Sequence, residues 1–129
     1  MVSIFSKIIS GEIPSHKIAE DEHYFAFLDI FPVAKGHTLV VPKKEVDYIY
    51  DLDDETLAGL HIFAKKVAKA IEKAVPCKRI GLAVVGLEVP HAHVHLIPIN
   101  SMADMDFANK KQMTQEELSK VAEEIRKYL

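Results

Sequence analysis

One cysteine, Cys77, stands in a chain of 129 residues, so no internal disulfide can form. A reducing compartment suits such a chain. Basic residues are not in excess: 16 Lys and Arg against 19 Asp and Glu leave a formal net charge of -3. That balance argues against nucleic acid or an anionic membrane as a partner, while one cleft can still be electropositive enough for a phosphate-bearing small ligand. No apolar run approaches the length of a membrane span. Met1 to Lys7 lacks the charged-then-apolar pattern of a signal peptide, so a cytoplasmic protein is expected. Repeats and low-complexity tracts are also missing, and Pro and Gly are scattered as punctuation. Residues 1–129 therefore read as one domain, with 100–129 a loop and a C-terminal helix.

Ile4 to Ile9 has the makings of a short helix that Gly11 is placed to end. Strand character follows at His16 to Glu20 and Tyr24 to Asp29, separated by a turn at Asp21-Glu22. Pro32 to Gly36 reads as a loop, and His37 to Val41 as a strand stopped by Pro42. The clearest helix spans about Asp53 to Val75, capped by Asp53 or Asp54. Its stripe is Leu57, Leu60, Ala64, Val67, Ala68, Ile71 and Val75. His61 lies beside the stripe and reads as an ordinary, partly exposed helix residue. Arg79 to Val85 is a buried-strand candidate and His91 to Pro98 another. Asn100 to Lys111 reads as loop. Thr114-Gln115-Glu116-Glu117 has capping-box form and opens a last helix reaching about Tyr128. The sum predicts an α+β domain: a mainly antiparallel sheet with one long helix and end helices.

Chemistry is concentrated in His91-Ala92-His93-Val94-His95. On a strand, alternate side chains share a face, so three imidazoles would stand together with Ala92, Val94 and Leu96 turned to the core. Packing alone is a poor reason for such a row, because each desolvated ring needs a partner. A metal site is one alternative. His91 and His95 would be about 13 Å apart along a strand, however, so one ion with bonds of about 2.0–2.1 Å gathers two of the three at most, with His37 or Glu45 as further ligands. Phosphorus chemistry is the other. A neutral imidazole whose Nδ1–H is held by a backbone carbonyl presents its Nε2 lone pair for attack, and neighbouring rings donate to phosphate oxygens. Such a site needs no metal if donors neutralise the charge of the transition state.

His91 to Ile97 resembles the motif of the histidine triad superfamily. Three further blocks resemble it in the same order: Ile4 to Pro14, Phe25 to Ile30, and Gly36 to Lys44. The resemblance implies a homodimer with its sheet extended across the interface, and a purine nucleotide or nucleotide conjugate as ligand. It makes His93 the nucleophile at the α-phosphorus, with His91 and His95 flanking it and His37 in support. Asp29 corresponds to the carboxylate that holds the ribose, and Ile4, Phe5, Ile8, Phe27 and Ile30 to the apolar base pocket, although any one of these five taken singly reads better as core. Bacterial relatives often carry a structural zinc bound by two cysteines and further histidines. Ser3, Ser6 and Glu45 occupy such positions here, so no metal and no cofactor is expected. Gly86 and Glu88 also depart from other branches. Glu88 is a candidate acid for the leaving group if burial raises its pKa, and otherwise a solvated loop carboxylate. The activity implied is nucleoside phosphoramidate hydrolysis. Dinucleoside polyphosphate hydrolysis is an alternative, as is a nucleotide-binding or scaffolding dimer with incidental catalysis.

Overall fold

The computed structural model describes residues 2–129. Helix α1 (Ile4–Ser10) is capped by Ser3, whose hydroxyl accepts the Ser6 N–H, and ends at Gly11 with φ 88°. Strands β1 (Lys17–Glu20), β2 (Tyr24–Leu28) and β3 (Thr38–Pro42) follow, then α2 (Asp54–Ala74), β4 (Arg79–Ala83), β5 (Val94–Ile99) and α3 (Gln115–Arg126). The strands form one antiparallel sheet in the order β1-β2-β3-β5-β4.

Alternation along β2 and β3 divides two cores. Tyr24, Ala26, Leu28 and Val40 join Leu60, Val67 and Ile71 of α2 and Leu118 and Ile125 of α3 on one face. Phe25, Phe27, Leu39 and Val41 meet Phe5 of α1 on the other. Helix α2 starts at Asp53, whose carboxylate accepts the Thr56 N–H, and α3 starts at the reciprocal capping box of Thr114 and Glu117. His61 is exposed, as read.

Two strands differ from expectation. The segment 79–85 is not buried: β4 is the sheet edge, and Leu82, Val84 and Val85 are exposed. The last central strand begins at Val94, not His91. Its register against β3 runs Thr38 to Leu96 and Val40 to Val94, so Ala92 would next face Pro42. Pro42 has no N–H to give, and the ladder ends there. The Ala92 N–H turns instead to the Val46 carbonyl at 2.7 Å, and the His91 N–H to Val89 at 2.8 Å. His91 and His93 therefore lie in a loop, and only His95 is on the strand.

Candidate active site

His95 sits opposite Leu39 in the register and so belongs to the α1 face of the sheet. The His93 ring lies 4.9 Å from it, centroid to centroid, and also 4.9 Å from Phe5, edge to face. His37, at the mouth of β3, places its ring 5.2 Å from His95. These rings, with Phe5, Asp29 and Phe107, line a cavity of about 210 Å³. His91 is elsewhere. Its ring is fully buried between the Ser3 hydroxyl, 2.7 Å from Nδ1, and the Pro42 carbonyl, 2.8 Å from Nε2. The three rings thus do not share one face, because the loop turns His91 away from the cavity.

Hydrogen bonds set the tautomers. The His93 Nδ1 is 2.7 Å from the His91 carbonyl, which can only accept, so Nδ1 carries the proton and Nε2 keeps its lone pair. His95 is set in the opposite sense. The Val33 N–H donates to His37 Nδ1 at 3.1 Å, which puts the neutral ring's proton on His37 Nε2. That proton is donated to His95 Nδ1 at 3.0 Å, leaving the His95 proton on Nε2. Burial keeps all three rings neutral at ordinary pH: it holds His37 down at about 3 and His95 at about 4. His93 is also lowered, chiefly by burial, against the upward pull of the His91 carbonyl. A lone pair and an N–H donor therefore stand side by side, which is an arrangement for attack on phosphorus with stabilisation of its oxygens.

Asp29 lines the cavity. It accepts the Phe31 N–H at 2.9 Å and lies 3.7 Å from His37 Nε2; burial pushes its pKa up. Asp29, His37 and His95 offer atoms within 4.8 Å of one another, close enough for a metal. The donor set does not fit one, since the proton that Val33 imposes on His37 Nε2 occupies the nitrogen a metal would need. The zinc site of bacterial relatives has no better match. Ser3 and Ser6 supply hydroxyls in place of thiolates, and Glu45 is already accepting from the Ser3 N–H and the Ser6 hydroxyl.

Of the proposed base-pocket residues, only Phe5 lines this cavity. Phe27 and Ile8 pack behind Phe5 in the second core, while Ile4 and Ile30 are exposed at 49% and 47%. Glu88 reaches the cavity from its open side, but its side chain is 77% exposed and lies 3.7 Å from Lys110. The burial on which an acid role depends is not there. Sequence reasoning missed Phe107 and Lys110. Phe107 packs 4.8 Å from His95, and the Lys111 N–H ties the segment to the Pro32 carbonyl at 2.7 Å. Its only sequence signal is one aromatic residue in a polar stretch.

Comparison with known proteins identifies the family and the fold. The HIT domain family matches residues 10–102. The crystal structure of a Hit-like protein from Bartonella henselae superposes with a TM-score of 0.86 at 37% identity, covering 98% of this chain and 96% of that one. Protein hit of Bacillus subtilis is 44% identical over 102 residues, 74% of this chain and 69% of its own. An adenosine 5'-monophosphoramidase of Saccharomyces cerevisiae is 42% identical over 96 residues, 74% of this chain and 61% of its own. Fold and site together define a hydrolase of the histidine triad type. The chain belongs to the HIT family.

Proposed function

We propose that the protein hydrolyses purine nucleoside phosphoramidates at the α-phosphorus, through a nucleotidyl group carried on His93. The observation that carries this reading is the pair of opposed tautomers, the His93 lone pair beside the His95 N–H. His93 Nε2 attacks phosphorus, and the His91 carbonyl holds the Nδ1 proton as the ring becomes cationic. His95 Nε2–H donates to the oxygens that gain charge. The amine leaves with a proton taken from water. Water then cleaves the nucleotidyl-histidine and regenerates the neutral ring.

Asp29 is proposed to hold the ribose hydroxyls. The base is proposed to lie along Phe5, backed by Ile8 and Phe27, with the solvent-exposed Ile4 and Ile30 as its outer apolar neighbours. The activity of the yeast relative supports the substrate class. A second reading, dinucleoside polyphosphate hydrolysis, draws on Lys110, whose ammonium at the cavity suits an anionic leaving group. Turnover of adenosine 5′-phosphoramidate against diadenosine polyphosphates separates the two. A homodimer is part of the proposal, because β4 leaves a sheet edge with Leu82 exposed on it and Val84 and Val85 exposed just past its end, the kind of edge that pairs with a second copy. We assign it to the cytoplasm, where the lone Cys77 stays reduced.

The direct test is rapid quenching without acid, followed by intact-mass analysis. An adduct of nucleotide mass should appear, be acid-labile, and localise to the His91–His95 peptide. His93→Ala should lose turnover by orders of magnitude yet bind nucleoside monophosphate. A fully active His93→Ala protein, or an adduct on another residue, defeats the mechanism.

A further inference from the structure

His91 is buried without touching the cavity, and the mechanism uses only its main-chain carbonyl. What holds that carbonyl in place is a polar knot on the far side of the ring, joining three segments distant in sequence. From the triad loop, His91 Nε2–H donates to the Pro42 carbonyl at the end of β3. That bond fixes the proton on Nε2, so in the neutral ring Nδ1 accepts from the Ser3 hydroxyl at 2.7 Å. The Ser3 oxygen in turn accepts the Ser6 N–H at 3.0 Å. The Ser3 N–H donates to Glu45 Oε1 at 2.7 Å, and the Ser6 hydroxyl donates to the same oxygen. Ser3 is 6% exposed and His91 0%, so a lost partner here would not be fully replaced by water. The same knot seats α1, whose Phe5 packs edge-on to His93.

We propose that Ser3 and Glu45 are positioning residues of the site. Acting through His91, they hold the carbonyl that keeps the His93 proton on Nδ1, and they hold Phe5 against the His93 ring. This inference rests on the reading of His93 as nucleophile.

The test combines kinetics with long-range proton–nitrogen NMR of protein labelled at histidine nitrogen. In the wild-type protein, His91 should show its proton on Nε2 and His93 on Nδ1. Ser3→Ala and Glu45→Ala should each raise the share of His93 carrying the proton on Nε2. They should lower kcat for adenosine 5′-phosphoramidate about tenfold to a hundredfold, the scale of a small misplacement of a reacting group, with KM little changed. Ser3→Thr, which keeps the hydroxyl, should restore most of the loss. If Ser3→Ala does not fold, Glu45→Ala carries the test, since Glu45 is exposed and outside the helix. Folded variants with wild-type His93 tautomer and kcat would overturn the proposal. A wild-type protein that turns over no phosphoramidate would count against the proposed function, and the NMR arm would still decide the positioning role.

Discussion

At the scale of single residues, protonation and hydrogen bonding set the chemistry. His93 must be neutral to attack, and burial lowers its pKa together with those of His37 and His95. The lowered direction extends the neutral form to acid pH. The acid limb of kcat/KM should therefore fall below pH 6.5, the ordinary histidine value. A pH–rate profile on the free enzyme checks it, and a limb at or above 6.5 contradicts it. Asp29 is the second residue-scale case. Asp29→Ala should weaken nucleoside monophosphate binding by roughly 1.5–3 kcal/mol, the range for hydrogen bonds to a charged group. Inorganic phosphate, which has no ribose, should bind as before. Calorimetric titration with both ligands decides, and equal weakening would remove Asp29 from ribose recognition.

At the scale of elements, α2 shows how a helix can fit its sheet too closely for an ordinary improvement. Replacing a mid-helix glycine by alanine adds about 1 kcal/mol of helix propensity. A Cβ on Gly59, however, would stand 2.0 Å from the Tyr24 hydroxyl and 2.8 Å from Cζ. The ring cannot swing clear, because Tyr24 is buried, packs 5.6 Å from Phe63 and donates to the Thr56 carbonyl at 3.0 Å. Gly59→Ala should lower Tm, and should lower it less in a Tyr24→Phe background, which removes the nearest atom. Thermal unfolding of the two single variants and the double variant measures that coupling. The elements themselves were largely legible. The α2 stripe read from spacing includes Leu60, Ala64, Val67 and Ile71, all buried, and the signals at Gly11, Asp53 and Thr114 mark the helix ends found. The start of β5 was not legible, since it depends on Pro42 lying opposite Ala92, a pairing between residues far apart in the chain.

For the whole molecule, acid is the informative variable. An unfolded chain protonates His37 and His95 near 6.5, whereas the folded chain resists until about 3 and about 4. Unfolded protein binds more protons across that window, so stability should fall as pH drops from 6.5 towards 4. Glu45, Asp53, Asp104 and Glu117 have folded pKa values lowered by hydrogen bonds, so their contribution is present above their ordinary range and lost below it, steepening the fall. Asp29, raised by burial, works in the opposite direction. Denaturant midpoints between pH 7.5 and 4 should decline through this range, and a flat profile down to 4.5 would contradict it. Assembly is the other property at this scale. Leu82→Lys with Val84→Lys places charge on the exposed β4 edge and just past its end. Sedimentation should show a dimer for the native chain and a monomer for this variant; an unchanged mass would move the interface elsewhere.

Sequence by itself determined the periodic and the local. Helices, most strands, their caps and the identity of the histidine cluster follow from spacing and from side chains acting within a few residues of themselves. The carbonyl needed by His93 lies two residues away, at His91, and was anticipated as a requirement of the chemistry. Only the tertiary structure decided what each imidazole faces. The proton on His95 is dictated by the Val33 N–H through His37, and the His91 ring is turned to Ser3 and Pro42 rather than to the cavity. Phe107 reaches the site because the Lys111 N–H is tied to Pro32. The physical reason is common to all of these. A buried polar group must find its partner wherever the fold places one, and a partner 58 or 88 residues away leaves no periodic trace in the chain.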